Sequence, residues 1–346
     1  MYERLAPLQH DSLDDVPEPS ETMTLVGHHE ARALLDAAIG GNKLHHAILL
    51  TGQQGIGKAT LAFHLAARLL GESSRAGDWC RAGGSPLFRQ IASGAHPGVL
   101  HLTRPFDEKA KKFKTVITAD EIRRVSRFLS LRTHDDGYRI VIIDPADDMN
   151  RSAANALLKS LEEPPAKVLF LLISHSPGRL LPTIRSRAQT IKLHSLSDTE
   201  VFEVLDAFGA SGAQDQVARS EIARRAKGSP RAALMLTLHG GLEIAEATEK
   251  VVAGNPHDIA GIHRLADAVS GRDSGMQFAI FNTYVLDRLS ERAAELAQQG
   301  MGEAAAKVAD AWDSANRQIG ELEAYNLDKK GHVLAMVRAL RNHQAR

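Results

Sequence analysis

Eight residues, GQQGIGKA at 52–59, constrain this chain more than any other stretch. They follow a short apolar run, HAILLT (46–51), and precede a segment with an apolar stripe from Leu61 to Leu70. An apolar run closed by glycine is the pattern of a buried parallel strand, and the stripe is that of a helix. Strand, glycine-rich turn and helix in that order make a phosphate-cradling loop, G-x-x-x-x-G-K-[ST], matched here up to its last position. Gly52, Gly55 and Gly57 let backbone N–H groups turn inward, and the helix start adds its positive end. Lys58 is placed to reach the β- and γ-phosphates as a point charge. The plainer alternative is a glycine-rich strand-to-helix turn with an incidental lysine.

The loop departs from its pattern where metal chemistry begins. Position 59 is Ala, where a hydroxyl normally holds magnesium, and Thr60 lies ~100° further round the helix. A second acidic motif, VIID (141–144), ends a continuous apolar strand with Asp144, a placement suited to holding a metal through water. The next residue is Pro145, which can neither accept a proton nor donate a hydrogen bond. Loss of a general base lowers rates by roughly 10²–10⁴. Hydrolysis by the chain itself is therefore expected to be absent or negligible, with ATP and magnesium held weakly or not at all.

Strands and helices alternate up to Ser195: apolar runs at Val99–Leu102, YRIVIID (138–144), VLFLLIS (168–174) and Thr190–Leu193 are separated by helical patterns. That alternation predicts an α/β, doubly wound parallel sheet with helices on both faces. Asn150 or Ser152 is available to cap the helix that Pro164 and Pro165 stop. After Ser195 only helical periodicity remains: SDTEVFEVLDAF and SEIARRAKGSPRAALMLT form a small unit, each opening on a serine. Spacings such as Phe278, Phe281, Val285 and Leu289, and Val308, Trp312, Ala315, Ile319 and Leu322, mark long amphipathic helices. The expected division is a loosely ordered leader over 1–22, a nucleotide-binding-like domain over 23–195, a helical lid over 196–243 and an all-helical collar over 244–346.

Lys+Arg and Asp+Glu both number 42, which excludes coating nucleic acid by charge alone but permits a local basic face. Lys109, Lys111, Lys112 and Lys114, followed by Arg123, Arg124, Arg127 and Arg132, fit either phosphate contacts or a solvated charged surface, and Lys159 shares that ambiguity. The single cysteine, Cys80, even with His96 nearby, cannot fill a tetrahedral site, so no zinc and no other metal site is expected. Without an apolar run of membrane length or a signal-peptide core, no membrane association and a cytoplasmic location are expected.

Four stretches resemble the bacterial clamp-loader subunits of the AAA+ class: LVGHHEA (25–31), LHHAILLTGQQGIGKATLA (44–62), SAANALLKSLEEPP (152–165) and LPTIRSRAQTIKL (181–193). The resemblance runs from about Leu25 to Leu234, with a weaker compositional match beyond. It implies an AAA+ fold with lid and collar, and membership of a DNA polymerase III holoenzyme. The implied partners are the loader's ATPase (gamma/tau) and delta subunits, the sliding clamp and primer-template DNA. By the same resemblance Arg187, with Ser186 before it, is an arginine finger acting on a neighbour's ATP site. Ser174 matches the first sensor position and Arg231, in GSPRAAL (228–234), the second. Ala188 stands where the family has cysteine. The plainer alternatives are an arginine paired with a local carboxylate, a strand-end hydroxyl bonded to backbone, and a surface helix arginine. Three other functions stay open: an active ATPase of the same family, a P-loop kinase acting on a small molecule, and a scaffold that binds neither nucleotide nor DNA.

Overall fold

In the computed structural model, which describes residues 3–71, 79, 81, 83–130, 137–210, 216–255, 258–271, 274–325 and 327–344, the backbone divides into two compact units. Met1–Gln214 with Ala223–Ala232 form the first, and Asp215–Ile222 with Ala233–Arg346 the second.

The first unit is built on strands β1 (Ala47–Thr51), β2 (Val99–Leu102), β5 (Arg139–Ile143), β6 (Val168–Ser174) and β7 (Gln189–Lys192), in the spatial order β2-β5-β6-β1-β7. Every pairing in this sheet is parallel. β1 and β6 are buried along their whole length, which is why their sequences run apolar without alternation. Odd and even positions nonetheless serve different cores. Ile48, Leu50, Ile140, Ile142, Leu169 and Leu171 pack with Leu35, Leu61 and Leu65 of helices α1 (His29–Gly40) and α2 (Lys58–Leu69). Leu49, Val141, Ile143, Phe170 and Leu172 pack with Ile122, Val125, Leu157 and Leu161 of α4 (Ala119–Ser130) and α5 (Arg151–Glu162). Helices thus cover both faces of a doubly wound sheet.

Two elements escape the sequence patterns. The stretch between α2 and β2 holds α3 (Pro86–Ala92), whose Ser85 hydroxyl accepts from Phe88 N at 3.0 Å, with Pro86 at the first helical position. The lysine run folds into a two-stranded antiparallel hairpin, β3 (Phe106–Asp107) and β4 (Lys112–Phe113), pinned by edge-to-face packing of Phe106 on Phe113 at 5.1 Å. Too short for a period to show, both look like loop in the sequence.

The leader, expected to be loosely ordered, is packed from Glu3 onward. Ala6, Leu13 and Val16 are buried, and Arg4 bridges the Glu18 carboxylate while donating to Leu13 O at 2.7 Å. Glu21 Oε1 accepts from Leu5 N at 2.5 Å and Ala6 N at 3.1 Å, and its Oε2 from Glu18 N at 3.0 Å. Two of the leader's acids thus point inward, Glu18 onto the Arg4 and Ser12 side chains and Glu21 onto backbone donors.

Helices α6 (Pro182–Arg185) and α7 (Asp198–Ala207) complete the first unit's own elements; Ser197 and Glu200 form a reciprocal cap on α7. Helices α8 (Gln216–Ala226) and α9 (Pro230–Leu238) cross the division between the units. Ser220 does not open a helix: it lies inside α8 and donates to Gln216 O at 2.9 Å. The break comes later, at Lys227 and Gly228, both with positive φ. The second unit contains α10 (Gly241–Ala253), α11 (Ile259–Ser270), α12 (Gly275–Gln298), α13 (Gly302–Tyr325) and α14 (Lys329–Gln344). Phe278, Phe281, Val285 and Leu289 of α12 and Val308, Ala315 and Leu322 of α13 share one core with Val333, Met336, Val337 and Leu340 of α14. Trp312 packs at its edge.

Asn150 caps α5, its side chain accepting from Ala153 N at 2.8 Å. Asn150→Ala is expected to lower the unfolding free energy by about 1 kcal/mol, read as a lower urea midpoint at unchanged slope.

Candidate functional site

In an open parallel sheet, ligands bind beyond the carboxyl ends of strands where successive crossovers diverge. Here the chain leaves β1 for β2 on one side and β6 for β7 on the other, so the crevice lies beyond Thr51 and Ser174, which are register partners. The glycine-rich loop follows Thr51 directly.

Close approach explains two loop glycines. A Cβ on Gly52 (φ 147°) would lie 2.5 Å from Leu193 O, and one on Gly55 (φ 76°) 2.5 Å from Arg231 Cβ and 2.6 Å from Ser229 Oγ. Gly57 starts α2 in the left-handed region. Lys58, only 3% exposed, donates to Gly52 O at 2.8 Å and Gln53 O at 2.5 Å. Burial pulls its pKa down to about 8, against the opposing pull of Asp144 and Asp147. Ala59 and Thr60 occupy the first turn of α2, both partly buried. His28 ties the LVGHHEA stretch (25–31) to the loop, its Nε2 lying 2.7 Å from Ile56 O.

Asp144 follows β5, and its carboxyl is pushed up to about 7 by burial first and the Asp11 charge second, with Lys58 acting in the opposite sense. Ser174 is fully buried, and its hydroxyl donates to Asp147 Oδ1 at 2.7 Å. Asp147 Oδ2 also accepts from His175 N at 2.5 Å and Ser176 N at 3.1 Å. The strand-end hydroxyl therefore bonds a side chain rather than the backbone. Asp148 takes a two-pronged bond from Arg104, at 2.5 Å through Nε and 3.0 Å through Nη2. Neither aspartate nor Arg104 was singled out from the sequence; the signal available was a pair of acids four and five residues beyond a buried strand's end.

Arg231 lies against the loop. Its N–H donates to Gly55 O at 3.2 Å, and nearby Ser229 Oγ donates to Gln54 O at 3.0 Å. Its guanidinium donates to Asp11 O and faces Asp11 Oδ2 at 3.6 Å. Nothing in the leader's sequence marks Asp11 as a partner. Gly52, Gly55, Gly57, Lys58, Asp144, Ser174 and Arg231 thus surround one crevice.

Ser186 and Arg187 belong to a different surface. Ser186 closes α6 and donates to Thr183 O at 3.1 Å. Arg187 donates to Thr183 O at 3.0 Å and pairs with Glu162, at the end of α5, at 2.7 Å, leaving its side chain 35% exposed. The local carboxylate pairing open from the sequence is present, and the guanidinium still meets solvent. Lys111, Arg123 and Arg124 pair with Glu108, Asp120 and Glu121 along the surface. Cys80 and Arg132 lie outside the described residues. Among the described residues no group of three His, Cys, Asp or Glu side chains is placed to hold a metal, and no helix is long and apolar enough to cross a membrane.

Residues 27–197 match the family model described as DNA polymerase III, delta subunit. Over that stretch, just under half of its length, the chain is similar to the DNA polymerase III clamp-loader family. It is 44% identical over 150 residues to the DNA polymerase III subunit delta' of Pseudomonas aeruginosa, an alignment that covers 43% of each chain. To the DNA polymerase III subunit gamma of Buchnera aphidicola from Acyrthosiphon pisum it is 28% identical over 272 residues, 76% of this chain and 72% of that one. The aligned stretch thus spans less than half of the delta' relative's length. A gamma subunit-related protein of Thermotoga maritima superposes over 90% of this chain and 99% of its own, with a TM-score of 0.50 and 17% identity, a likeness of fold. The parallel five-stranded sheet with its glycine-rich loop and following helices belongs to the fold that this likeness shows.

The displaced Asp144 carboxyl gives a pH test. A carboxyl whose pKa is higher folded than unfolded binds protons preferentially in the folded state, so its contribution to stability falls as pH rises from 3.8 to about 7. Asp144→Asn removes that titration. Its stability minus that of the parent is expected to grow through this window and level off above it, in urea midpoints measured at steps of pH. His64, His101 and His175, all lowered to about 4 by burial, titrate in both proteins and cancel in the difference.

Proposed function

We propose that the chain works as a delta-prime-type subunit of the DNA polymerase III clamp loader, a cytoplasmic assembly. In this reading it assembles with the gamma/tau ATPases and with delta, turns over no appreciable ATP, and offers Arg187 to a neighbour's ATP site. It helps the assembly position the sliding clamp on primer-template DNA. Any chemistry that it influences as part of a polymerase holoenzyme is carried by other subunits.

The observation that carries the reading is the split between two surfaces. At the loop, Lys58 bonds the loop's own carbonyls, Ala59 lacks a metal-binding hydroxyl, and Pro145 follows Asp144 where a base would orient water. Away from it, Arg187 rests on α6 and the end of α5 with part of its guanidinium open to solvent. Its partner Glu162 is itself 47% exposed, so the pair is screened and exchangeable, worth little to stability and easily given up for a γ-phosphate. Bound ATP and magnesium, if a neighbour supplies them, would place the phosphoryl charge that such an arginine stabilises.

Arg187→Ala is expected to leave assembly intact by gel filtration. It is expected to cut turnover at the facing site on the order of 10³-fold, so the DNA- and clamp-stimulated ATPase of the reconstituted loader loses that site's share. Unchanged stimulated ATPase would remove the trans role. Purified alone, the chain is expected to hydrolyse no more ATP than its Lys58→Ala variant; magnesium-dependent turnover above that background would instead make it an active ATPase of the family.

A further inference from the structure

The Gln9–Ser12 turn presents a carboxylate to the loop's arginine. Gln9 N donates to Ser12 Oγ at 2.7 Å and Ser12 N to Gln9 O at 3.3 Å, which puts His10 and Asp11 at the tip. There Asp11 meets Arg231 twice, through its carbonyl oxygen and, at 3.6 Å, through its carboxylate. Arg231 is fixed from the other side by its N–H on Gly55 O, so the Arg231–Asp11 pair lies directly on the phosphate loop. All of these residues belong to the first compact unit.

We infer that Asp11 is a built-in anionic occupant of this crevice, which a nucleoside triphosphate must displace to bring a phosphate to Arg231. The inference concerns the loop crevice alone and rests on its retained cradle, not on the role of Arg187.

Two observations and one physical argument converge on it. The Asp11 charge acts on Asp144, just beyond β5, and on His175, just beyond β6, so the anion that meets Arg231 is also within electrostatic reach of two adjacent strand ends. The turn is anchored rather than loose: Ser12 Oγ donates to Glu18, which Arg4 also bridges, and Glu21 collects the N–H groups of Leu5, Ala6 and Glu18. Finally, an anion tethered this closely competes at the high effective concentration of an intramolecular contact. A ligand phosphate gains Arg231 only as Asp11 loses it, and a second anion beside Asp11 and Asp144 is repelled by both.

Equilibrium binding of fluorescent ATP to the full chain tests this, comparing the parent, Asp11→Ala, and the double variant Asp11→Ala/Arg231→Ala. The Asp11 side chain is 39% exposed, so its truncation is not a core change, and matched thermal midpoints confirm folding. Asp11→Ala is expected to bind ATP at least tenfold more tightly than the parent, and the double variant to lose that gain. Affinity unchanged within twofold, including no detectable binding by either protein, overturns the inference. So does a gain that survives loss of Arg231. Because the readout is affinity in the isolated chain, its failure leaves the loader ATPase test of Arg187 untouched.

Discussion

Parallel pairing of β1 with β6 sets Thr51 opposite Ser174, and the arrangement of the crevice follows from that register. One residue of slip would turn every side chain of a strand to the other face and move Leu49 and Ile48 into the wrong cores. The register is secured because both strands are buried on both faces, where a mismatch would open cavities costing several kcal/mol each. From it the loop must leave β1 beside the end of β6. Asp147 can then reach back to Ser174, His175 and Ser176 in a single carboxylate.

Charge at this crevice is satisfied within the protein. Lys58 bonds two carbonyls, Arg104 bonds Asp148, Arg231 meets Asp11, and Asp147 is saturated by a hydroxyl and two amides. Each of these pairs offsets a desolvation cost that would otherwise fall on an isolated buried charge. Asp144 is the exception. Burial disfavours its charge first, the Asp11 and Asp148 charges add to that, and Lys58 only partly opposes them, so its carboxyl shifts upward. A site built for rapid phosphoryl transfer keeps its cations aimed at developing phosphate charge. Here the same cations already have protein acceptors.

The strand–loop–helix segment at 47–69, the five parallel strands and the capped helix at Asn150 were legible because long apolar runs and glycine punctuation leave few alternatives. The hairpin of Phe106–Phe113 and the helix after Ser85 were not, since elements of two to seven residues carry no readable period. The leader misled for another reason. Composition distinguishes solvated acids from inward-facing ones only statistically, and Glu18 and Glu21 face inward because nearby backbone donors and Arg4 give them partners. Of the site, the residues brought by the loop and the strand ends were identifiable from motif positions. Asp11 and Arg104 depend on contacts between segments 44 to 220 residues apart, which no local pattern encodes.

The loop's glycines have a structural explanation that does not involve nucleotide. Any side chain at position 52 would strike Leu193 O, and any at 55 would strike Ser229 and Arg231, in backbone conformations that only glycine adopts without strain. A glycine-rich phosphate motif can therefore be retained by packing alone once Ser229 and Arg231 have closed against it. Presence of the motif and capacity for hydrolysis are separable properties: the first is set by how closely neighbouring segments approach the loop, the second by residues 59 and 145. In this chain the approach is close and those two residues are Ala and Pro, the pair on which the proposed loss of hydrolysis rests.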